Sequence, residues 1–237
     1  MKVAIMQPYF VPYIGYWQLI SAVDLFVIFD DVQYMRHGWI NRNRVLKPSG
    51  GWQYIIIPLE KHSLSELIRN VKIHPTIDWK NRILRQLEHY RRKASHYWAT
   101  VQMLRHIFES VTDRRIGSMN FALLKYFCQE LNVKTELILS SELGITYAGI
   151  KHPGEWALRI ADQIGATEYI NPVGGAALFR PEEFTARGIK LKFLRPEAVV
   201  YPQNDHFEPW LSIVDVLMFN GVAGTKPLLK FYSLKEG

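Results

Sequence analysis

The fold is decided by residues 1–44, MKVAIMQPYFVPYIGYWQLISAVDLFVIFDDVQYMRHGWINRNR. An apolar run from Val3 to Met6 predicts a buried strand, and a second apolar run from Leu25 to Phe29 predicts another. Pro8 and Pro12 disfavour a helix directly after the first strand. A helix is therefore expected from Gly15 to Ala22, and it provides the crossover that two neighbouring parallel strands require.

The rest of the chain repeats this alternation of strands and helices. It predicts an α/β fold in which a mainly parallel, Rossmann-like sheet is flanked by helices. Helical spacing over residues 78–131 interrupts the alternation and indicates a helical insertion or cap within a single domain of residues 1–237. The last clear strand pattern is Ile189–Leu194, and a closing helix is expected at Leu211–Phe219. Further strands are expected at Trp52–Pro58, Leu137–Leu139 and Glu168–Asn171.

Charge and cysteine content narrow the class of protein. The net charge of +7 favours anionic partners such as phosphates or nucleotide-linked sugars, and it is equally typical of a basic, solvated surface. The single cysteine, Cys128, excludes an internal disulfide, which fits a reducing compartment, and its helical spacing places it in the core. The sequence has neither a signal peptide pattern nor an apolar run long enough to insert in a membrane. We therefore expect a cytoplasmic protein.

Two adjacent carboxylates, Asp30 and Asp31, follow the second predicted strand. Ligands of open α/β sheets bind outside the carboxyl ends of the strands, so these acids are placed where a ligand is expected. They could act as a general base or bind Mg²⁺ together with substrate phosphates, and His37 is a further candidate acid or base. The alternative is a solvated strand end. Asp205 and His206 form another acid–base candidate pair.

Amides and guanidinium groups alternate in the loop after these acids. Arg42 and Arg44 suit phosphate or carboxylate, while Asn41 and Asn43 suit sugar hydroxyls. An exposed strand edge protected by charge is the alternative interpretation. The neighbouring polar side chains complete the predicted substrate-binding set of this region, which also includes Gln33 and Tyr34.

The turn after the first strand is a further candidate binding element. Gln7, Tyr9, Tyr13 and Tyr16 surround the start of the first helix, where an anion could bind. The turn matches neither the Walker loop nor the G-x-G-x-x-G fingerprint. The remaining candidates for anion binding are the backbone at Gly174 and Gly175 and the side chain of Lys151.

Several other classes of chemistry lack their usual motifs. The eight histidines show no H-E-x-x-H or H-x-H pairing, so no zinc site is expected, and there is no G-x-S-x-G elbow for a hydrolase triad. The basic residues between Arg82 and Lys93 are more typical of a solvated helix face than of a nucleic-acid reader.

The segments MQPYFVPYIGYWQLI, DLFVIFDDVQY and WINRNR resemble the WbqC-like family of bacterial proteins. The resemblance extends to the SSEL segment at Ser140–Leu143, to the later glycine pair and to the ending LSIVDVLMFNG. It matches the family pattern at Gln7, Asp30, Asp31, Gln33, Tyr34, Asn41, Arg42 and Asn43.

The resemblance implies a role in the biosynthesis of O-antigen or other surface polysaccharide, such as lipopolysaccharide. We therefore expect an enzyme, an N-acyltransferase that acylates the amine of a nucleotide-linked amino sugar. The acyl donor would be an acyl-CoA, an acyl carrier or an aminoacyl donor. One alternative is an ATP- and Mg²⁺-dependent ligase that passes through an acyl-adenylate, and another is a non-catalytic binding subunit of the polysaccharide machinery.

Overall fold

A six-stranded sheet lies at the centre of the computed structural model, which describes residues 1–197, 199–203 and 206–237. Its strands stand in the order β5-β2-β1-β6-β7-β8, and all neighbours are parallel except β7 and β8. The predicted α/β fold with a mainly parallel sheet is thus confirmed. In chain order the strands are β1 Lys2–Met6, β2 Leu25–Ile28, β3 Arg42–Leu46, β4 Trp52–Ile56, β5 Glu136–Leu139, β6 Glu168–Pro172, β7 Lys190–Pro196 and β8 Tyr232–Glu236.

Helices flank this sheet, and β3 and β4 form a separate antiparallel hairpin. Three of the helices follow one another between β4 and β5, where the sequence predicted a helical insertion. The helical spacing of that region is interrupted in the structure by a short 3-10 helix at Glu88–Arg92. In chain order the α-helices are α1 Ile14–Ser21, α2 Trp79–Gln86, α3 Tyr97–Ser110, α4 Ile116–Glu130, α5 Gly154–Gln163, α6 Pro181–Thr185 and α7 Ile213–Leu228.

Each face of the sheet carries its own hydrophobic core. Successive side chains of a strand point to opposite faces. Ala4 and Phe26 accordingly pack in the core formed with α1, α3, α4 and α7. Val3, Ile5 and Val27 pack in the other core, formed with α5 and α6. The central strands are covered on both sides, which explains their continuous apolar sequences.

The C-terminal region differs from the sequence prediction in two respects. The closing helix does not end at Asn220: the backbone kinks at Gly221, with φ of 61°, and the helix resumes as far as Leu228. A Cβ atom at Gly221 would lie 2.6 Å from Nδ1 of His96, so the close approach of that imidazole requires glycine. The chain then forms the edge strand β8, whose exposed Tyr-Ser-Leu-Lys-Glu sequence lacks the apolar pattern of a buried strand.

The strand order places a topological switch point between β1 and β6. The chain builds the sheet from β1 outward through β2 to β5, and it then returns to β6 on the other side of β1. Ligands of open α/β sheets bind in the crevice at the carboxyl ends of such strands. In this chain that edge carries the segments that follow Met6, Ile28, Leu139, Pro172 and Pro196.

Candidate functional site

The hairpin β3–β4 is hydrogen-bonded to the turn that follows β1. Asn43, at the second position of β3, is buried and donates from Nδ2 to the carbonyl oxygens of Phe10 and Val11 at 2.8 and 3.2 Å. The hydroxyl of Ser212, the N-cap residue of α7, also donates to Val11 O, at 2.6 Å. The hairpin and the start of α7, which are distant in sequence, therefore meet at the turn between Tyr9 and Tyr13.

An aromatic pocket of about 290 Å³ opens where these segments meet. Pro196, the last residue of β7, places it at the carboxyl edge of the sheet. The ring of Tyr13 meets that of Trp210 edge to face, with centroids 5.9 Å apart. We call this cavity the aromatic pocket; its lining residues are Tyr9, Tyr13, Trp39, Asn43, Arg44, Pro196 and Trp210.

Arg44 is the cationic group of the aromatic pocket. Its guanidinium carbon lies 5.4 Å from the ring centroid of Trp39 and 5.1 Å from that of Trp52. One terminal nitrogen donates to Trp210 O at 3.4 Å, but the buried Nε has no hydrogen-bond partner among the described residues. A buried donor without a partner costs free energy, and the guanidinium fork as a whole suits the phosphate or carboxylate oxygens of a ligand.

The backbone around the aromatic pocket is strained. Val11 has φ of 35° and Trp210 has φ of 59°, values that β-branched and bulky residues rarely adopt. Such residues cost about 1–3 kcal/mol each and cluster at ligand-binding and catalytic sites. Val11 lies between two residues that line the pocket, and Trp210 lines it itself, so the strain supports a functional assignment for this cavity.

The first carboxylate of the predicted pair, Asp30, joins the ends of β2 and β5. It is 3% exposed and accepts hydrogen bonds from Ser140 Oγ at 3.0 Å, Ser141 N at 3.0 Å and Ser141 Oγ at 2.8 Å. Its own backbone N–H donates to Ser140 Oγ. Both carboxylate oxygens thus have partners within the protein, an arrangement that suits a structural link better than proton transfer.

The second carboxylate, Asp31, is the better candidate base. Burial raises its pKa, and this effect outweighs the lowering by Arg69, whose guanidinium lies 2.7 Å from the carboxylate. Beside it, the hydroxyl of Tyr147 is buried and makes no hydrogen bond of ordinary geometry to the described residues. Burial and the charge of Asp31 raise the pKa of Tyr147 to about 12, so this hydroxyl stays protonated near a carboxylate.

Gln7 and Tyr16 lie between the acids and the aromatic pocket. Gln7 is half-buried directly after β1, and its carbonyl oxygen accepts a hydrogen bond from Tyr16 Oη at 2.8 Å. The ring of Tyr16 in turn lies 5.4 Å from that of Tyr9, which lines the pocket. The predicted turn residues Gln7, Tyr9, Tyr13 and Tyr16 are therefore brought together.

Three polar residues predicted to bind substrate have partners within the protein. Tyr34 Oη donates to Asn41 Oδ1 at 2.8 Å, and Asn41 Nδ2 donates to Ile57 O at 2.9 Å. Gln33 is exposed and donates to Leu64 O at 2.7 Å. These contacts fix the loop after β2 against the hairpin and its neighbours.

Arg42 and His37 are held together by the loop that contains them. The Arg42 guanidinium lies over the ring of Tyr54, 4.4 Å from its centroid, and donates to the carbonyl oxygens of Gly38 and His37. His37 is exposed, with φ of 62°. The structure thus gives Arg42 a role in shaping the loop, and it leaves the imidazole of His37 at the surface.

The glycine pair after β6 lies at the topological switch point. A Cβ atom at Gly175 would clash with Oδ1 of Asn171, whereas a Cβ atom at Gly174 would meet open space. Asn171 is itself buried and donates to the hydroxyl oxygen of Tyr169 at 2.7 Å. Gly175 is therefore required for close packing, and Gly174 is free of that constraint.

Lys151 stands next to a cluster with metal-ligand character. Its backbone N–H donates to Glu155 at 2.6 Å, and His152 Nε2 lies 2.9 Å from Glu183 and 3.6 Å from Glu155. These side chains offer one ligand atom each within 4.8 Å of one another, so they could hold a divalent ion. Both glutamates also lie in the first turns of α5 and α6, where a carboxylate is favourable without any ion.

Three residues of the candidate site could not be predicted from the sequence. No recognisable sequence motif marks Trp210, Pro196 or Tyr147. Each of them is distant in sequence from the predicted site and is brought there only by the fold. The tryptophan of the PWLS segment at 209–212 was itself the one available signal for this position. Of the candidate pair near the C-terminus, Asp205 lies outside the described residues and His206 is exposed.

The fold and these sites define an α/β protein whose candidate ligand pocket lies at the carboxyl edge of a parallel sheet. A sequence model of the WbqC-like protein family matches residues 7–227, and the chain belongs to that family. The uncharacterized protein Rv1507c of Mycobacterium tuberculosis is 31% identical over 233 residues, which cover 97% of this chain and 98% of that protein. No solved structure matches the chain. None of the helices described is both long and apolar enough to cross a bilayer.

Proposed function

We propose that this protein is an enzyme of bacterial surface polysaccharide biosynthesis that transfers an acyl group to the amine of a nucleotide-linked amino sugar. The observation that carries the proposal is the aromatic pocket, which brings the guanidinium of Arg44 together with aromatic rings. Aromatic rings stack on nucleobases, and a guanidinium fork suits phosphate oxygens. A nucleoside diphosphate carries both a nucleobase and phosphate groups in one molecule.

The order of the strands supports a path for the rest of the substrate. The aromatic pocket lies at the end of β7, and Asp31 follows β2, three strand positions away. At a strand spacing of about 4.8 Å, the two ends are separated by roughly 14 Å. An extended nucleotide-linked sugar placed along this edge passes Gln7 at the end of β1, so its sugar is directed toward the acids.

Asp31 is the residue that we assign to the removal of the amine proton. An amine must lose a proton to attack an acyl carbonyl, and a base whose pKa is raised accepts that proton more readily. Burial raises the pKa of Asp31, whereas both carboxylate oxygens of Asp30 are engaged by serine donors. The amine nitrogen would form the new bond to the acyl carbon, the acyl donor would lose its carrier, and Asp31 would take the proton.

Incubation with UDP- and dTDP-linked amino sugars and acyl-CoA donors tests the proposal, with the product followed by mass spectrometry. The expected result is an acylated sugar nucleotide, formed at least about 100-fold more slowly by Asp31→Asn. Asp162→Asn is the matched control, because Asp162 also pairs with an arginine but lies on the surface. Absence of turnover with every donor and sugar, together with no thermal shift, would refute the proposal.

The same assay separates the alternatives. Turnover that requires ATP and releases pyrophosphate would identify an acyl-adenylate ligase. Tight binding of the sugar nucleotide without any product would identify a non-catalytic binding subunit.

A further inference from the structure

We propose that Asp215 is a positioning residue that fixes two walls of the aromatic pocket through one buried carboxylate. The inference rests on the proposed function in that it concerns the same pocket, and it adds how that pocket is held and regulated. Asp215 is 0% exposed and lies in the first turn of α7. It accepts hydrogen bonds from Tyr90 Oη, from Tyr201 Oη at 2.7 Å and from Gln203 Nε2 at 2.6 Å.

Tyr90 links the carboxylate of Asp215 to the first wall of the aromatic pocket, which is formed by β3. While its hydroxyl donates to Asp215, the hydroxyl oxygen accepts from the backbone N–H of Leu46 at 2.8 Å. Leu46 ends β3, two residues after Arg44. The carboxylate thus fixes the strand that presents the guanidinium to the pocket.

The second wall is reached through Gln203. Its Nε2 also donates to Tyr201 Oη at 2.9 Å, and its Oε1 accepts from the backbone N–H of Glu208 at 2.6 Å. Glu208 precedes Trp210 by two residues, so the carboxylate also fixes the segment that carries this strained aromatic residue.

The ionised form of Asp215 is the one that satisfies this network. Three donors point at its two oxygens, so a proton on either oxygen requires one hydroxyl or amide to turn away. The groups that face Asp215 are Tyr90 from the 3-10 helix and Tyr201 and Gln203 from the segment before α7, and none of them is charged. Among the described residues, no lysine, arginine or further acid pairs with the Asp215 carboxylate. Burial raises the pKa of Asp215 to about 6, against the lowering by the three hydrogen bonds.

Protonation of Asp215 therefore loosens one wall of the aromatic pocket. Arg44 and Trp210 are the two residues whose relative position then changes. The pocket should bind an anionic ligand well above pH 6 and lose affinity as the pH falls below it.

The test uses the full chain and two readouts. The first is acrylamide quenching of Trp210, taken as the fluorescence difference between each protein and its Trp210→Phe counterpart, from pH 5 to pH 8. The second is titration with uridine diphosphate. In the wild-type protein, Trp210 should become more accessible below pH 6 and the affinity should fall about tenfold. Asp215→Asn should show the loosened state, and the weak affinity, at every pH.

Tyr201→Phe keeps the ring and removes one donor, which makes the test independent of how well Asp215→Asn folds. It should increase the quenching of Trp210 at pH 7.5, and Tyr126→Phe on α4 is the matched control that should not. Identical, pH-independent quenching in the wild-type protein and in Tyr201→Phe would overturn the inference. Failure of the proposed function is distinguishable, because it would abolish binding of uridine diphosphate while leaving the Trp210 signal to decide the role of Asp215.

Discussion

Replacement of Arg44 by lysine should weaken ligand binding in the aromatic pocket much more than it weakens the fold. Lysine keeps the positive charge but loses the planar fork and the stacking on Trp39 and Trp52. An arginine can donate to a phosphate from two nitrogens at once, whereas lysine has a methylene in place of Nε and a single ammonium donor group.

The magnitude follows from this missing donor. A hydrogen bond to a charged group contributes about 1.5–3 kcal/mol, so affinity for a nucleotide diphosphate should fall about 10- to 150-fold. Replacement of the stacked guanidinium by an ammonium weakens two contacts with tryptophan rings and should lower the free energy of unfolding by about 1 kcal/mol. The protein should therefore remain folded while binding is largely lost.

Isothermal titration calorimetry with uridine diphosphate, paired with urea unfolding, measures both quantities. Arg91→Lys is the matched control, because Arg91 also lies over a tryptophan ring, 4.9 Å from the centroid of Trp98, outside the aromatic pocket. If Arg44→Lys and Arg91→Lys bound the nucleotide equally well, the assignment of Arg44 to phosphate recognition would be wrong.

Three further changes have defined outcomes. Asp30→Asn should lower the free energy of unfolding, measured in urea, by about 2–3 kcal/mol, because one amide hydrogen would face the donors of Ser141. The control is Asp24→Asn at an exposed position. Equal losses in the two variants would contradict the structural role of Asp30. Gly15→Ala places a methyl group against the ring of Tyr13 and 2.9 Å from Pro196, so it should displace Tyr13 and weaken binding of uridine diphosphate; unchanged affinity would show that Tyr13 does not shape the pocket. For Asp215, a folded pKa of about 6 against an ordinary value of 3.8 means that its contribution to stability is full below pH 3.8 and is lost as the pH rises to 6. The stability of the wild-type protein relative to Asp215→Asn should thus fall by about 3 kcal/mol over this range in urea titrations, and a constant difference would contradict the raised pKa.

The sheet could be predicted from the sequence because its central strands are buried on both faces. Continuous apolar runs such as Leu25–Phe29 mark them directly, and the crossover rule then sets their parallel direction. Edge strand β8 has no such pattern, since its side chains are mostly exposed and its pairing with β7 depends on tertiary contact. The continuation of α7 beyond Gly221 could not be predicted, because helices usually end at a glycine that adopts a positive φ, as Gly221 does.

The candidate site was predicted in its parts but not in its arrangement. The polar residues at the strand ends follow from the position rule for α/β sheets, which is why Asp31 and Gln7 are candidates from the sequence alone. Whether a polar side chain faces a ligand or a neighbouring carbonyl depends on contacts between distant segments. Asn43, which fastens the hairpin over Phe10 and Val11, could not be distinguished by sequence from a sugar-binding amide.

The most direct test of the proposed function is a crystal structure of the protein soaked with a UDP-linked amino sugar. We expect the base stacked within the aromatic pocket against Trp39 or Trp210, the diphosphate at Arg44 and the sugar amine directed along the sheet edge toward Asp31. Density for the nucleotide at Gly174 and the switch point, with the aromatic pocket empty, would contradict the proposed function.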